Sequence, residues 1–148
     1  METHENFFEG CLFFNTNTFS RTLLKIAEKE FEHLKLSPAH ASLLLLVYDT
    51  PGISPKELSR LLNLTPSTIT RFVDALEKKK LLKRDAKGKS TQISPSQTGL
   101  EIKEAVALAY KQLILKYTSL LGAQTADQLS FSILSANKKI SEFLDRNE

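Results

Sequence analysis

The sequence predicts a mainly α-helical chain with one small β-hairpin, in the order α-α-α-α-β-β-α-α. Three observations carry this. Ser37-Pro38, Ser54-Pro55 and Thr65-Pro66 each place a hydroxyl residue before a proline. A hydroxyl caps the free amides of a first helical turn, and proline loses nothing at the first helical position. Apolar residues recur at spacings of three, four and seven near both ends of the chain, as a helix with one buried face requires. Between Leu81 and Ser94 the pattern changes to two short strand-like runs around a glycine-containing turn.

The first helix is expected from about Phe7 to Leu34. Phe8, Leu12, Phe19, Leu23, Ile26 and Phe31 share one broad face, and the poor helix formers Asn15–Thr18 predict a bend. The second covers about Ala39–Tyr48 and carries the apolar run Leu43–Val47, with Thr50-Pro51-Gly52 as its stop. The third covers Pro55–Leu62, with Ser54 to Glu57 as a capping box, and the fourth Pro66–Lys79. Strands are expected at Leu81–Arg84 and Ser90–Ser94, joined through Asp85–Lys89. The fifth helix runs from about Ser96 to Leu121, stopped by Gly122. The sixth runs from about Ala126 to Asp145, with a second capping box at Thr125–Gln128.

The first, fifth and sixth helices carry more apolar surface than the short middle helices can cover, which predicts a two-fold dimer. The chain divides accordingly into an N-terminal dimerisation helix (1–36), a middle domain (37–95) and C-terminal dimerisation helices (96–148).

Composition narrows the class. Of 148 residues, 41% are hydrophobic and 25% charged, an ordinary globular balance. No apolar run reaches the roughly 18 residues of a membrane span. The start of the chain is acidic, unlike a secretory signal, and the single cysteine, Cys11, has no internal partner. A cytoplasmic setting is expected. The net charge is +3, yet Arg71–Lys89 alone holds eight bases and three acids, so the rest of the chain sums to −2. A basic stripe on a near-neutral body is the electrostatic footprint of a phosphate-contacting surface.

That stripe coincides with two short helices joined by Asn63-Leu64, the dimensions of a helix-turn-helix. Leu58, Leu61, Leu62, Ile69, Phe72, Val73 and Leu76 have core spacing. Thr65, Pro66, Ser67, Thr68, Thr70 and Arg71 remain at the start of the second helix, where a recognition helix meets base edges. Small side chains admit the helix to the major groove, threonine methyls meet thymine methyls, and arginine pairs with guanine. Arg84, Lys87 and Lys89 then belong to a basic wing beside it, within reach of the minor groove or its phosphates. The expected unit is a winged helix-turn-helix.

Leu58-Ser59-Arg60-Leu61-Leu62-Asn63-Leu64, Ser67-Thr68-Ile69-Thr70-Arg71-Phe72-Val73-Asp74-Ala75-Leu76-Glu77-Lys78-Lys79 and Ile93…Ser96…Gly99 resemble the MarR family of multiple antibiotic resistance regulators. The resemblance spans nearly the whole chain. It implies a homodimeric, DNA-binding transcriptional regulator that represses from a palindromic operator. In that family the first helix and the last two form the dimer interface, and a ligand or oxidation releases the DNA. Three positions depart from the family pattern. Lys80 stands where glycine is usual, the wing is shorter with Lys87-Gly88-Lys89 at its tip, and Pro95-Ser96 replaces a Leu-Thr pair.

Other functions have less support. Three scattered histidines, one cysteine and no phosphate loop make no catalytic constellation, so no enzyme and no cofactor are expected. A winged helix can also serve as a protein-interaction module. Cys11 is near the place where peroxide-sensing members of the family resemble it in carrying a reactive thiol, but Pro38 replaces a partner tyrosine and phenylalanines surround it. His33 and His40 lack the companions of a metal site, and none is expected. A small-molecule effector pocket between the first, second and fifth helices is implied by the resemblance, with Phe14, Phe19, His40 and Tyr48 as its candidate lining.

Overall fold

The computed structural model describes residues 4–148, apart from the side chains of Glu5 and Lys87. The elements are α1 (His4–Glu9), α2 (Leu12–Phe31), a 3-10 turn (Glu32–Leu34), α3 (Pro38–Asp49), α4 (Pro55–Leu62) and α5 (Pro66–Lys78). The hairpin β1 (Leu82–Lys87) and β2 (Ser90–Pro95) follows, then α6 (Gln97–Glu101), α7 (Lys103–Leu121) and α8 (Ala123–Asp145). The expected mainly helical fold with one hairpin is present, and two predicted helices are divided.

The three Ser/Thr-Pro starts cap as expected. Ser37, Ser54 and Thr65 are N-caps in extended conformation, and their hydroxyls accept from the amides of His40, Glu57 and Thr68. The reciprocal half of the Ser54 box is missing, because the Glu57 carboxylate takes Arg60 Nε and Nη2 at 3.0 and 2.5 Å instead. The second box is overturned. α8 begins at Ala123, immediately after Gly122 at φ 83°, so Thr125–Gln128 lie inside the helix.

The predicted first helix breaks at Gly10-Cys11 rather than at Asn15–Thr18. Glycine weakens the helix there, and Asn15 Nδ2 donates to Glu9 O at 2.8 Å across the break. Asn17 and Thr18 stay helical by donating back to the carbonyls of Phe13 and Phe14, 2.7 Å in each case. Phe8 leans on Phe14 with ring centroids 4.8 Å apart, which folds α1 back onto α2. The predicted fifth helix breaks at Ile102 (φ −98°, ψ 2°), giving α6 and α7.

β1 and β2 pair antiparallel from Leu82↔Pro95 to Lys87↔Ser90. The turn is the two residues Gly88-Lys89, with Gly88 at φ 65° where a type II′ turn takes glycine. Ile53, which the sequence pattern missed, bridges to Ile93 as a one-residue third strand (Ile93 N to Ile53 O, 2.9 Å). This stitches the hairpin to the entry of α4.

One core joins the middle domain to the arms. Phe31 of α2, Leu43, Leu44 and Val47 of α3, Leu58 of α4, Ile69 and Leu76 of α5, Ile93 of β2 and Val106 of α7 are fully buried in it. The far ends of the helical arms are different. α8 buries only Ala126 along 23 residues, while Phe131, Leu134, Ile140 and Phe143 are exposed. Among the described residues no helix is long and apolar enough to cross a membrane.

Candidate nucleic-acid interface

The candidate reading unit is α4, its turn and α5. Asn63 ends α4 in the left-handed region (φ 52°, ψ 47°), a conformation that asparagine tolerates better than most residues. Leu64 N donates to Ser59 O at 3.1 Å and Ser59 Oγ to Leu64 O at 2.5 Å, which closes the turn. Thr65 then starts α5. Its Oγ1 accepts from Thr68 N at 3.3 Å and also lies within hydrogen-bond reach of the Ser67 and Thr68 hydroxyls, at 3.2 and 2.9 Å.

α5 is held by its inner face, where Ile69, Val73 and Leu76 are buried. Ser67, Thr70, Arg71 and Asp74, three or four residues apart, make the outward face, and all four are exposed. Thr65 and Pro66 are exposed beside them, and Thr68 is half-buried. Thr70 Oγ1 donates to Pro66 O at 3.0 Å. Among the described residues Arg71 has no ion pair, so its guanidinium is available to a ligand.

The wing is fastened to this helix through Arg84. Its Nη2 donates to Asp74 at 2.5 Å and its Nη1 to Glu77 at 3.0 Å. The Asp74 bond raises the already high guanidinium pKa further. Grouped with the DNA-contacting residues from sequence, Arg84 is engaged within the chain, neutralising two carboxylates on the rim of the reading face. Asp74 and Glu77 were missed as its partners. They occur at an i, i+3 spacing on α5, but only the packing of β1 across that helix reveals the pairing. Lys89 is exposed on the hairpin turn, and the side chain of Lys87 lies outside the described residues.

Lys80 adopts φ 62° just after α5, the left-handed conformation in which glycine is the usual occupant. Ser96 Oγ donates to Lys80 O at 2.5 Å and accepts from Gly99 N at 2.9 Å. A Cβ on Gly99 would sit 2.0 Å from Leu81 O, so only glycine lets α6 lie this close to the hairpin base. Tyr48, buried at the end of α3, donates to Gly99 O at 2.7 Å, and burial pushes its phenol pKa up. These contacts join the reading unit to the arms.

Residues 36–89 match the MarR family. The MarR-family match runs from the residue before the Ser37 cap to the hairpin turn, and so contains the whole reading unit. Solved structures of similar fold extend the likeness over the arms. CouR bound to a 23-mer DNA duplex superposes with a TM-score of 0.77 at 23% identity, over 93% of this chain and 99% of that one. MepR of S. aureus in a DNA complex gives 0.77 at 16% identity, over 88% and 98%. CouR from Rhodococcus jostii RHA1 bound to p-coumaroyl-CoA gives 0.75 at 18%, over 87% and 93%. At these identities the likeness establishes the fold. No curated relative matches by sequence.

The four candidate pocket residues are not brought together. Phe19 lines an apolar groove of about 580 Å³ between α2, α7 and α8, with Leu12, Leu23, Tyr117, Leu129 and Ile133. Phe14 is exposed against Phe8, His40 packs edge-on against Phe72 of α5 with centroids 4.7 Å apart, and Tyr48 is in the joint. Tyr110 of α7 packs edge-on against Phe31, hydrogen-bonds Ser42 and donates to Pro38 O at 3.3 Å. Burial and Lys79 lower the His40 pKa. Cys11 is the half-buried N-cap residue of α2 and makes no side-chain cap bond. Among the described residues no three His, Cys, Asp or Glu side chains converge as metal ligands.

Proposed function

We propose that the chain is a sequence-specific, DNA-binding transcriptional regulator that works as a homodimer, represses from a palindromic operator and is released by a small-molecule effector. It is a binding protein and not an enzyme. The observation that carries the reading is the outward face of α5. Ser67, Thr70 and the unpaired Arg71 stand at the N-terminal end of a helix that is capped, packed and braced by a wing. Ser67, Thr68 and the free Ser67 amide of α5 hold phosphate, Arg71 and Thr70 meet base edges, and Lys89 with Lys87 holds the flanking backbone. Thr65 and Pro66 set the depth at which the helix enters the groove, and Arg84 is a brace.

The dimer is supported by the arms. Apolar side chains left open along α2, α7 and α8 are more than a monomer ordinarily exposes, and α8 has almost nothing of its own chain to bury against. Residues 1–36 and 96–148 serve as the dimerisation arms and 37–95 as the DNA-binding domain. A two-fold pair presents two α5 helices to two half-sites. The effector role is supported by the CouR structure with a bound CoA ester.

Binding to mixed duplex DNA across a salt series tests the reading. The logarithm of the association constant should fall linearly with the logarithm of salt, with a slope of about −0.9 per phosphate neutralised. Failure to bind duplex DNA at low salt would refute the function.

A further inference from the structure

We propose, resting on the DNA-binding reading above, that Thr70 is a thymine-methyl reader: its hydroxyl is tied back to the helix, which leaves its methyl as the group offered to the major groove. Thr70 is one of the four outward residues of α5, exposed between Ser67 and Arg71. Its Oγ1 donates to Pro66 O at 3.0 Å, one turn back along the helix. A threonine hydroxyl that bonds the carbonyl four residues earlier fixes the side-chain rotamer. The single hydroxyl proton is then committed and cannot be donated to a base edge. The methyl has no bond within the helix and is the group this arrangement leaves to meet an apolar base edge.

The neighbouring hydroxyls differ. Thr65 Oγ1 lies within hydrogen-bond reach of the Ser67 and Thr68 hydroxyls at the start of the helix, where the positive helix end favours phosphate. Arg71, with five donors and no partner, is suited to guanine. Thr70 alone on the outward face combines a satisfied hydroxyl with a free methyl. The only base edge in the major groove that offers a matching apolar group is thymine, through its 5-methyl. The face therefore divides into a polar reader at Arg71 and an apolar reader at Thr70. Each half-site should hold a required thymine adjacent to the base pair read by Arg71.

The test uses the full chain and an operator selected from random duplex DNA. Each thymine is replaced in turn by deoxyuridine, which removes the methyl and leaves the hydrogen-bonding edge intact. One position per half-site should weaken wild-type binding by about fourfold, the value of one buried methyl-sized group. Thr70→Ser, which keeps the hydroxyl, should bind the thymine and uridine operators equally. Thr70→Val, which keeps the methyl and drops the hydroxyl, should still prefer thymine. A wild-type chain indifferent to uridine at every position overturns the role, as does a Thr70→Ser chain that still discriminates or a Thr70→Val chain that does not. Those results are separable from failure of the DNA-binding reading, in which no duplex binds at any salt. Thermal melting of both variants confirms that they are folded.

Discussion

At the scale of single side chains, Arg71 tests the proposed recognition and Tyr48 the integrity of the joint. Arg71→Ala removes the only guanidinium on the outward face of α5 that has no partner. It should cost about 1–3 kcal/mol of operator binding and relax the preference at one base pair; mobility-shift titration against point-mutated operators reads both effects, and an unchanged preference would assign Arg71 to phosphate. Tyr48→Phe leaves the buried Gly99 carbonyl without its 2.7 Å donor. Urea unfolding should show a loss of about 1–3 kcal/mol, and an unaltered midpoint would dismiss the joint as a stabilising contact. His40 ties stability to pH. Its pKa is lowered from 6.5 by burial against Phe72 and by Lys79. The folded state therefore favours the neutral ring, and the unfolded chain binds the proton more readily. Stability is complete above pH 6.5 and is lost as the pH falls through the lowered folded value. His40→Gln should flatten that acid limb in a melting series; an undiminished slope would place the sensitivity elsewhere.

At the scale of elements, α5 and the hairpin behave as one piece because Arg84 spans them. Exposed ion pairs add little to stability, about 0–1 kcal/mol, so Arg84→Ala should melt near the wild-type temperature. It should nevertheless weaken DNA binding at low salt, since Asp74 and Glu77 are left as bare anions beside the phosphates. Equal affinities across a salt series would show that the bridge has no electrostatic role. Sequence made the α5 helix legible because its signals are local: a Thr-Pro start, apolar residues at core spacing, and small polar residues in between. The wing bridge, the Ile53–Ile93 pairing and the close approach of Gly99 to Leu81 join residues distant in sequence, and no periodicity announces them. Helix breaks were legible only where punctuation was strong. Gly122 was, whereas the break at Ile102 follows from α6 being pinned to the hairpin base. Asn15–Thr18 misled because their side chains return hydrogen bonds to their own helix, so weak helix formers there do not interrupt it. The effector pocket was inferred by resemblance, and its four candidate residues lie in separate contacts, Phe19 in the α2–α7–α8 groove, Phe14 on Phe8, His40 on Phe72 and Tyr48 on Gly99.

The whole molecule joins a well-packed reading unit to arms whose apolar faces are open in the single chain. Truncation after Leu121 removes α8 and should turn a dimer into a monomer in sedimentation, with operator affinity lost more severely than nonspecific affinity; a stable truncated dimer would move the interface onto α2 and α7. The α6–α7 break has a mechanical consequence. Gly99 allows α6 to rest directly on Leu81, and Ile102 redirects the chain into an α7 of about 28 Å at 1.5 Å per residue. An arm of that length, seated directly on the hairpin base, would work as a lever. Pivoting such a helix by roughly ten degrees about its seated end displaces the other end by about 5 Å. In the proposed dimer two α5 helices would have to meet successive major grooves about 34 Å apart, so a shift of that size at the arms would spoil the fit of both heads at once.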